Sequence, residues 1–246
     1  MSIVRIGILG YAGRMGKLIA QEIAENPACT LSGGAVLASE AGIPAPKGAV
    51  LSTKASEVIA VSDAVIDFTS ADAVAAHAQE AATHNKPYMS GVTGLSSQTL
   101  DAFKLVAKKI PLLYAPNTSL SLAAMKQVVA LAAKLLANFD YDISILDQHH
   151  RMKKDAPSGT ALALGEAVLR GNEGKKKPEY AAIRAGSIVG EHDVIFAGQG
   201  EIIRLQHSVT ERRIFARGAV QAALWLHNKK PGFYSMDDVL DLKSAV

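Results

Sequence analysis

The chain has 246 residues, of which 49% are hydrophobic and one is a cysteine, and its formal net charge is +3. This composition allows a full buried core and excludes an internal disulfide framework, which needs paired cysteines. The mild charge and the lack of any apolar run of about 18 residues argue against nucleic-acid and membrane partners. Because residues 1–9 enter a strand pattern without a basic leader, we expect an untargeted cytoplasmic protein.

The first predicted elements are a buried strand over Ile3–Leu9, a glycine-rich turn and a helix over Lys17–Ala24. A glycine turn between a strand and a helix is typical of dinucleotide-binding folds. Here Ala12 stands where the usual G-x-G-x-x-G pattern has its second glycine, and alanine is still small. The pattern therefore predicts an NADH or NADPH site, with a tight turn without ligand as the alternative. The glycines assigned to it are Gly10, Gly13 and Gly16.

The second predicted strand, about Leu31–Leu37, ends where such folds read the adenosine ribose. An Asp or Glu there is typical of NAD, and a nearby Arg is typical of NADP. This chain has Ala38, Ser39 and a slightly late Glu40, and its next arginine after Arg14 is Arg151. We assign Ser39 to this region and leave the choice between NADH and NADPH open.

Further short apolar strands alternate with helices up to residue 119, which predicts a doubly wound parallel sheet. Ser70 is predicted to cap a helix that runs to about His84, and a second helix spans Gln98–Lys109. His77 and His84 are expected to be surface or packing residues. The strands are expected over Ala64–Phe68, Pro87–Ser90 and Pro111–Tyr114. Ligands bind where parallel strands end, so the loops after these strands are candidate ligand-binding loops.

A long apolar helix, Leu120–Ala137, is predicted to lead into a second, α+β domain with a mixed or antiparallel sheet. The helix Arg213–His227 and a capping box at Ser235–Asp238 are expected to return to the first domain. We predict a dinucleotide-binding domain over 1–119 and 213–246 and a substrate-binding and oligomerisation domain over 120–212. The strands of the second domain are predicted over Tyr141–Gln148, Ile183–Val189, His192–Ala197 and Glu201–Gln206.

Proton donors and anion-binding groups are concentrated between a predicted strand and a helix, in residues 149–160, HHRMKKDAPSGT. A histidine exchanges protons near neutral pH, and a lysine can hold a carboxylate and supply a proton. His149 and Lys153 could reach one pocket, and the free N–H groups of Ser158, Gly159 and Thr160 would face an anion. An exposed or phosphate-binding loop is the alternative. No metal is predicted, because adjacent strand histidines diverge and the chain has no H-E-x-x-H motif or cysteine pair.

Further motifs lie along nearly the whole length of the chain: Asp67-Phe68-Thr69, Gly91-Val92-Thr93-Gly94, Val189-Gly190-Glu191-His192 and Gly218-Ala219-Val220. The sequence resembles the 4-hydroxy-tetrahydrodipicolinate reductase (dihydrodipicolinate reductase) family of the diaminopimelate–lysine pathway. The resemblance implies a Rossmann-like first domain, reduction of a cyclic unsaturated dicarboxylate by NADH or NADPH, and a homotetramer formed through the second sheet.

The resemblance also implies roles for single residues. His149 would be the catalytic acid/base and Lys153 the proton donor, while His150, Ser158, Gly159 and Thr160 would bind the substrate carboxylates. The implied cofactor residues are Gly10, Arg14 and Met15 at the diphosphate, the strand-end residue Phe68, and Gly91, Thr93, Ala115 and Asn117 at the nicotinamide. The chain departs from the family pattern at Ala38, Ser39, Ser70, Val92 and Asp147.

Two other functions remain open on the sequence. One is a different small-acid dehydrogenase, although an aldehyde-acylating type needs a pocket cysteine and Cys29 lies in the wrong half. The other is a nucleotide-sensing module without turnover.

Overall fold

The computed structural model describes residues 2–240. In that range the chain divides into two compact units, one formed by residues 2–118 and 213–240 and the other by residues 119–212. Residues 241–246, which are predicted to belong to the first domain, lie outside the described range.

Strands and helices alternate through most of residues 2–240. The strands in this range are β1 Val4–Leu9, β2 Cys29–Ala35, β3 Val50–Ser52, β4 Ala64–Asp67, β5 Tyr88–Ser90, β6 Pro111–Tyr114, β7 Asp142–His149, β8 Glu179–Arg184, β9 Gly190–Gly198, β10 Glu201–Val209 and β11 Gly232–Tyr234. The helices in the same range are α1 Arg14–Glu25, α2 Ala55–Ala60, α3 Val74–Thr83, α4 Ser97–Val106, α5 Leu120–Leu136, α6 Gly159–Gly171, α7 Arg213–Leu226 and α8 Met236–Val239.

The first unit is built on a parallel sheet whose described strands have the order β11-β6-β5-β4-β1-β2-β3. Helices α1 and α7 pack together on one face, and α2, α3 and α4 cover the other. Because β1 pairs with both β2 and β4, the strand order reverses there, and the carboxyl ends of β1 and β4 border a crevice. The predicted doubly wound sheet is confirmed.

Several details of the first unit differ from the prediction. The sequence pattern does not predict β3, α2 or β11, which are too short for a clear period. The Ser70 cap is wrong: α3 begins at Val74, and Ser70 offers its backbone carbonyl to the N–H groups of Ala73 and Val74. Helix α1 begins at Arg14, before Lys17, because the glycine turn winds directly into it.

The second unit has a mixed sheet of described order β10-β9-β7-β8, as predicted, with β7 and β8 parallel and the other pairs antiparallel. Helices α5 and α6 bury their apolar sides against one face. The strand predicted over Ile183–Val189 is wrong for most of its length. It overlaps β8 only at Ile183 and Arg184, because the chain turns at Gly186, whose φ is +49°.

Strand β7 alternates regularly between buried and more exposed residues. Ile143 and Ile145 of the buried set pack with α5 and α6, and Asp147 and His149 continue that set toward the end of the strand. Two polar side chains thus reach a buried position through the period of the strand. Among residues 2–240, no helix is long and apolar enough to cross a membrane.

Candidate active site

The glycine turn of the first unit packs tightly between β1 and α1. Gly10 has a φ of +84°, a conformation that favours glycine. A Cβ on Gly16 would lie 2.2 Å from the carbonyl oxygen of Gly10, so only glycine lets the helix start this close to the turn. Gly13 is the N-cap of α1 and has no capping side chain, which leaves the first N–H groups of the helix for an anion.

A cavity of about 490 Å³ lies in the first unit and has the size of a small-molecule site. Six of the predicted cofactor residues line it: Arg14, Met15, Phe68, Gly91, Thr93 and Asn117. The remaining lining residues are Thr69, Ser70, Ala71, Val92, Pro116, Thr118 and Phe215. Phe215 comes from α7, far along the chain from the other lining residues, and no sequence motif marks it.

The other five predicted cofactor residues are not among those lining this cavity: Gly10, Gly13 and Gly16 form the glycine turn, and Ser39 and Ala115 lie elsewhere in the first unit. Ser39 is exposed on the short 3-10 turn Ala38–Glu40 after β2. In the same turn the Glu40 carboxylate accepts a hydrogen bond from the Leu37 N–H at 3.0 Å. Ala115 is buried, and its N–H donates to the Ser90 carbonyl oxygen at 3.0 Å.

In the second unit, polar groups converge on Asp147, whose carboxylate is fully buried near the end of β7. Its Oδ2 accepts hydrogen bonds from Nη2 of Arg184 at 2.8 Å and from the N–H of Ser158 at 2.7 Å. Its Oδ1 lies 2.8 Å from Nδ1 of His149 and 3.3 Å from Nε2 of His192. The structure therefore places His149 against a carboxylate that other groups already hold.

The start of α6 differs from the prediction in one respect. Ser158 caps the helix, because its Oγ accepts from the Ala161 N–H at 3.2 Å. Its own N–H is not free, since Asp147 accepts it, and the prediction is wrong on that point. An acidic side chain of the chain itself thus occupies part of the helix N-terminus. Gly159 is exposed there, and Thr160 is partly buried.

The loop after β7 presents the other predicted groups. Nζ of Lys153 lies 2.9 Å from Oδ2 of Asp155, and the lysine side chain is 22% exposed. His150 is more exposed than His149, as expected for the next residue beyond an alternating strand. Nε2 of His149 faces Gly190, where a Cβ would lie 3.1 Å away. Any side chain at residue 190 would crowd the imidazole.

Burial lowers the pKa of His149, Asp147 opposes this effect, and the cations Lys153 and Arg184 reinforce it. The net direction is downward, so the imidazole is mostly neutral at neutral pH and can accept a proton. The pKa of His192 falls to about 4, again mainly through burial. Burial would raise the pKa of Asp147, but the hydrogen bonds from Arg184 and Ser158 and the nearby His149 outweigh it and lower that pKa.

Asp147, His149 and His192 each offer a ligand atom within 4.8 Å of the others, a spacing that could hold a metal ion. The guanidinium of Arg184 already neutralises Asp147, and Lys153 adds positive charge nearby. A divalent cation would meet two positive neighbours and one neutralised carboxylate, so the charges favour proton exchange over metal binding.

Acidification is expected to destabilise the protein through His192. Its folded-state pKa of about 4 lies below the unfolded value of about 6.5, so the unfolded chain binds more protons between these values and stability rises with pH across that window. Urea unfolding should show a loss of about 2 kcal/mol between pH 7 and pH 5. His192→Gln should reduce this dependence, and the part that remains comes from His149 and His207, whose pKa values burial also lowers; His84→Gln, a change at a partly exposed histidine, should preserve it in full. If the free energy of unfolding depended on pH equally in both variants, the assignment of this dependence to His192 would be contradicted.

The sequence does not predict Arg184 and His192 as members of this cluster, and Asp147 is predicted only as a departure from the family pattern. A signal for Asp147 was available, because it lies two residues before His149 and so on the same face of the strand. Arg184 and His192 come from β8 and β9, which pair with β7 at His149 and Asp147 respectively. Only the register of β8 and β9 against β7 places these two side chains beside Asp147.

A dinucleotide-type turn on a doubly wound sheet, together with a buried acid/base cluster, defines the class of NAD(P)-dependent oxidoreductases. Models of the dihydrodipicolinate reductase family match the chain at residues 4–118 for the N-terminus and 121–240 for the C-terminus. The chain belongs to the dihydrodipicolinate reductase family, whose members use NADH or NADPH.

Named relatives agree with this family. The 4-hydroxy-tetrahydrodipicolinate reductase of Granulibacter bethesdensis is 42% identical over 261 residues, covering 98% of each chain. That of Zymomonas mobilis is also 42% identical, over 262 residues and 98% of each chain. Among solved structures, a dipicolinate-bound dihydrodipicolinate reductase from Paenisporosarcina sp. TG-14 shares the fold. Its TM-score is 0.82 at 21% identity, covering 96% of this chain and 99% of that one.

Proposed function

We propose that this chain reduces 4-hydroxy-tetrahydrodipicolinate to tetrahydrodipicolinate with NADH or NADPH, in diaminopimelate and lysine biosynthesis. The observation that carries the proposal is His149 beside the buried Asp147 in a chain that matches a reductase of this name over 98% of its length. The cofactor would supply one hydride and the solvent or protein one net proton, and the 4-hydroxyl group leaves as water; the protein's task is to bind, orient and exchange protons.

His149 is proposed as the acid/base. The Asp147 oxygen beside Nδ1 favours the tautomer with its proton on Nδ1, which leaves Nε2 as the acceptor. Because burial keeps the imidazole mostly neutral, Nε2 is available to exchange a proton near pH 7. Asp147 would act as its positioning residue and Arg184 as the group that keeps Asp147 ionised.

Lys153 is proposed to supply the proton to the substrate. Its ammonium now pairs with Asp155, whose side chain is 57% exposed, so the pair exchanges easily for a substrate carboxylate. His150, Gly159, Thr160 and the hydroxyl of Ser158 are proposed to bind the two substrate carboxylates. The Ser158 N–H is excluded from this role because Asp147 holds it.

The first unit fits a nicotinamide cofactor. Its glycine turn places Gly10 at a φ of +84° directly before α1, and the start of α1 offers N–H groups to a diphosphate. We propose that Gly10, Gly13, Arg14, Met15 and Gly16 hold the diphosphate end. Phe68, Gly91, Thr93, Ala115 and Asn117 are proposed at the nicotinamide side, and Ser39 at the ribose.

We further propose a homotetramer formed through the open face of the second sheet. The register puts Leu146, Ile183, Ile195 and Ile202 on the face opposite α5 and α6, with Ile202 64% exposed. Exposed apolar side chains on one sheet face favour self-association, which sedimentation of the intact chain would measure. The cytoplasm is the proposed compartment, since nicotinamide reductants and free thiols such as Cys29 belong there.

The function is tested by nicotinamide absorbance with enzymatically generated substrate. We expect NADH or NADPH oxidation that depends on the cyclic dicarboxylate, and kcat/KM measured with each cofactor gives the preference. Binding of NADH or NADPH without oxidation would favour the nucleotide-sensing alternative. Oxidation with an unrelated small acid, and none with the cyclic dicarboxylate, would favour another dehydrogenase.

A further inference from the structure

A second buried carboxylate, that of Asp67 at the end of β4, has no role in the chemistry proposed above. It is fully buried in the first unit. Its Oδ1 accepts hydrogen bonds from the N–H and the hydroxyl of Thr69, at 2.8 and 2.6 Å. Its Oδ2 accepts from the Tyr88 hydroxyl at 2.6 Å and lies 2.8 Å from Nδ1 of His77. Burying a carboxylate is costly, and these four contacts compensate for it.

The turn that Asp67 holds, Phe68–Thr69, is part of the cavity wall. The Phe68 ring covers Gly91 so closely that a Cβ there would lie 2.1 Å from a ring carbon. The Phe68 carbonyl oxygen lies 3.0 Å from where a Cβ of Gly10 would stand. The turn therefore lies between the two glycines assigned to opposite ends of the cofactor.

We propose that Asp67, supported by His77 and Tyr88, is a positioning residue for the nicotinamide cofactor. It holds the Phe68–Thr69 turn against Gly10 and Gly91 and thereby sets cofactor affinity, while the proton chemistry belongs to other residues. The inference rests on the proposed function, because it presumes that NADH or NADPH occupies this cavity.

Tyr88 allows the cleanest test because it supports Asp67 without lining the cavity. Its side chain is fully buried and packs edge-on against Phe103. Burial, followed by the charge of Asp67, raises the Tyr88 pKa well above its usual value, so the hydroxyl remains protonated and donates. Tyr88→Phe removes that donor and leaves the ring in place.

The experiment titrates the nicotinamide fluorescence of NADH, and in parallel that of NADPH, with the intact chain and its variants, and measures steady-state kinetics alongside. Tyr88→Phe should raise the Kd and KM for NADH about fivefold, and Asp67→Asn should raise them further. The kcat and the KM for the dicarboxylate should stay within about twofold of the wild-type values. Ile110→Val is the matched control, since it trims the same core cluster at the amino end of β6.

Wild-type affinity for NADH in Tyr88→Phe would overturn the inference, and so would an equal loss in Ile110→Val, which would show a general effect of stability. If Asp67→Asn does not fold, Tyr88→Phe still decides. Failure of the wild-type chain to bind either cofactor would overturn the proposed function itself. Wild-type binding with unchanged variants would overturn only the role of Asp67.

Discussion

Lys153→Ala is expected to lower kcat about 10³-fold, within the range that a positioned proton donor contributes. Lys153 is the cation of the loop after β7 whose charge acts on both His149 and His192. Its removal should barely change stability, because its partner Asp155 is 57% exposed and such pairs contribute about 0–1 kcal/mol. The measurement is cofactor oxidation at saturating dicarboxylate, with urea unfolding of the same sample.

Lys154→Ala is the matched control, since Lys154 is the exposed neighbour in the same loop. It should retain nearly the full rate. A Lys153→Ala variant with unchanged kcat and a raised KM for the dicarboxylate would reduce Lys153 to a carboxylate-binding residue. A full rate together with an unchanged KM would remove it from the site altogether.

Asp147→Ala is expected to destabilise the protein by about 3 kcal/mol and to lower kcat about 10²-fold. The change leaves the Arg184 guanidinium, whose side chain is only 16% exposed, without its carboxylate, and leaves the buried N–H of Ser158 unpaired. Arg184 also donates to three backbone carbonyl oxygens, which remain in the variant: those of Asp147, Ile183 and Asp155. The expected loss in the free energy of unfolding is therefore at the lower end for a broken buried ion pair. Urea unfolding and steady-state kinetics measure the two effects.

Asp155→Ala serves as the comparison, because it removes a carboxylate of the same type from an exposed pair. Its stability should change by less than about 1 kcal/mol. If Asp147→Ala were as stable as Asp155→Ala, the hydrogen bonds from Arg184 and Ser158 to Asp147 would contribute nothing to the free energy of unfolding. If it lost stability but kept the wild-type kcat, Asp147 would have no part in positioning His149.

The sequence determined the elements whose signal is local. The glycine turn, the long α5 and the alternation of β7 follow from spacing within about 20 residues, and they predict a parallel dinucleotide-type sheet and a mixed second sheet. The same local signals place His149 at a strand end and Ser158 at a helix start. They also predict a free N–H at Ser158, which is wrong, since Asp147 reaches it from 11 residues away.

Only the tertiary structure decided the surroundings of those residues. Arg184 and His192 meet Asp147 and His149 because β8 and β9 pair with β7 in a particular register, and Phe215 reaches the cavity from α7. Contacts of this kind depend on strand pairing and helix packing between distant segments, and neither period nor composition encodes them locally. The candidate catalytic residues could therefore be predicted from the sequence. The groups from β8 and β9 that set their charge and orientation could not, because they are distant in the chain.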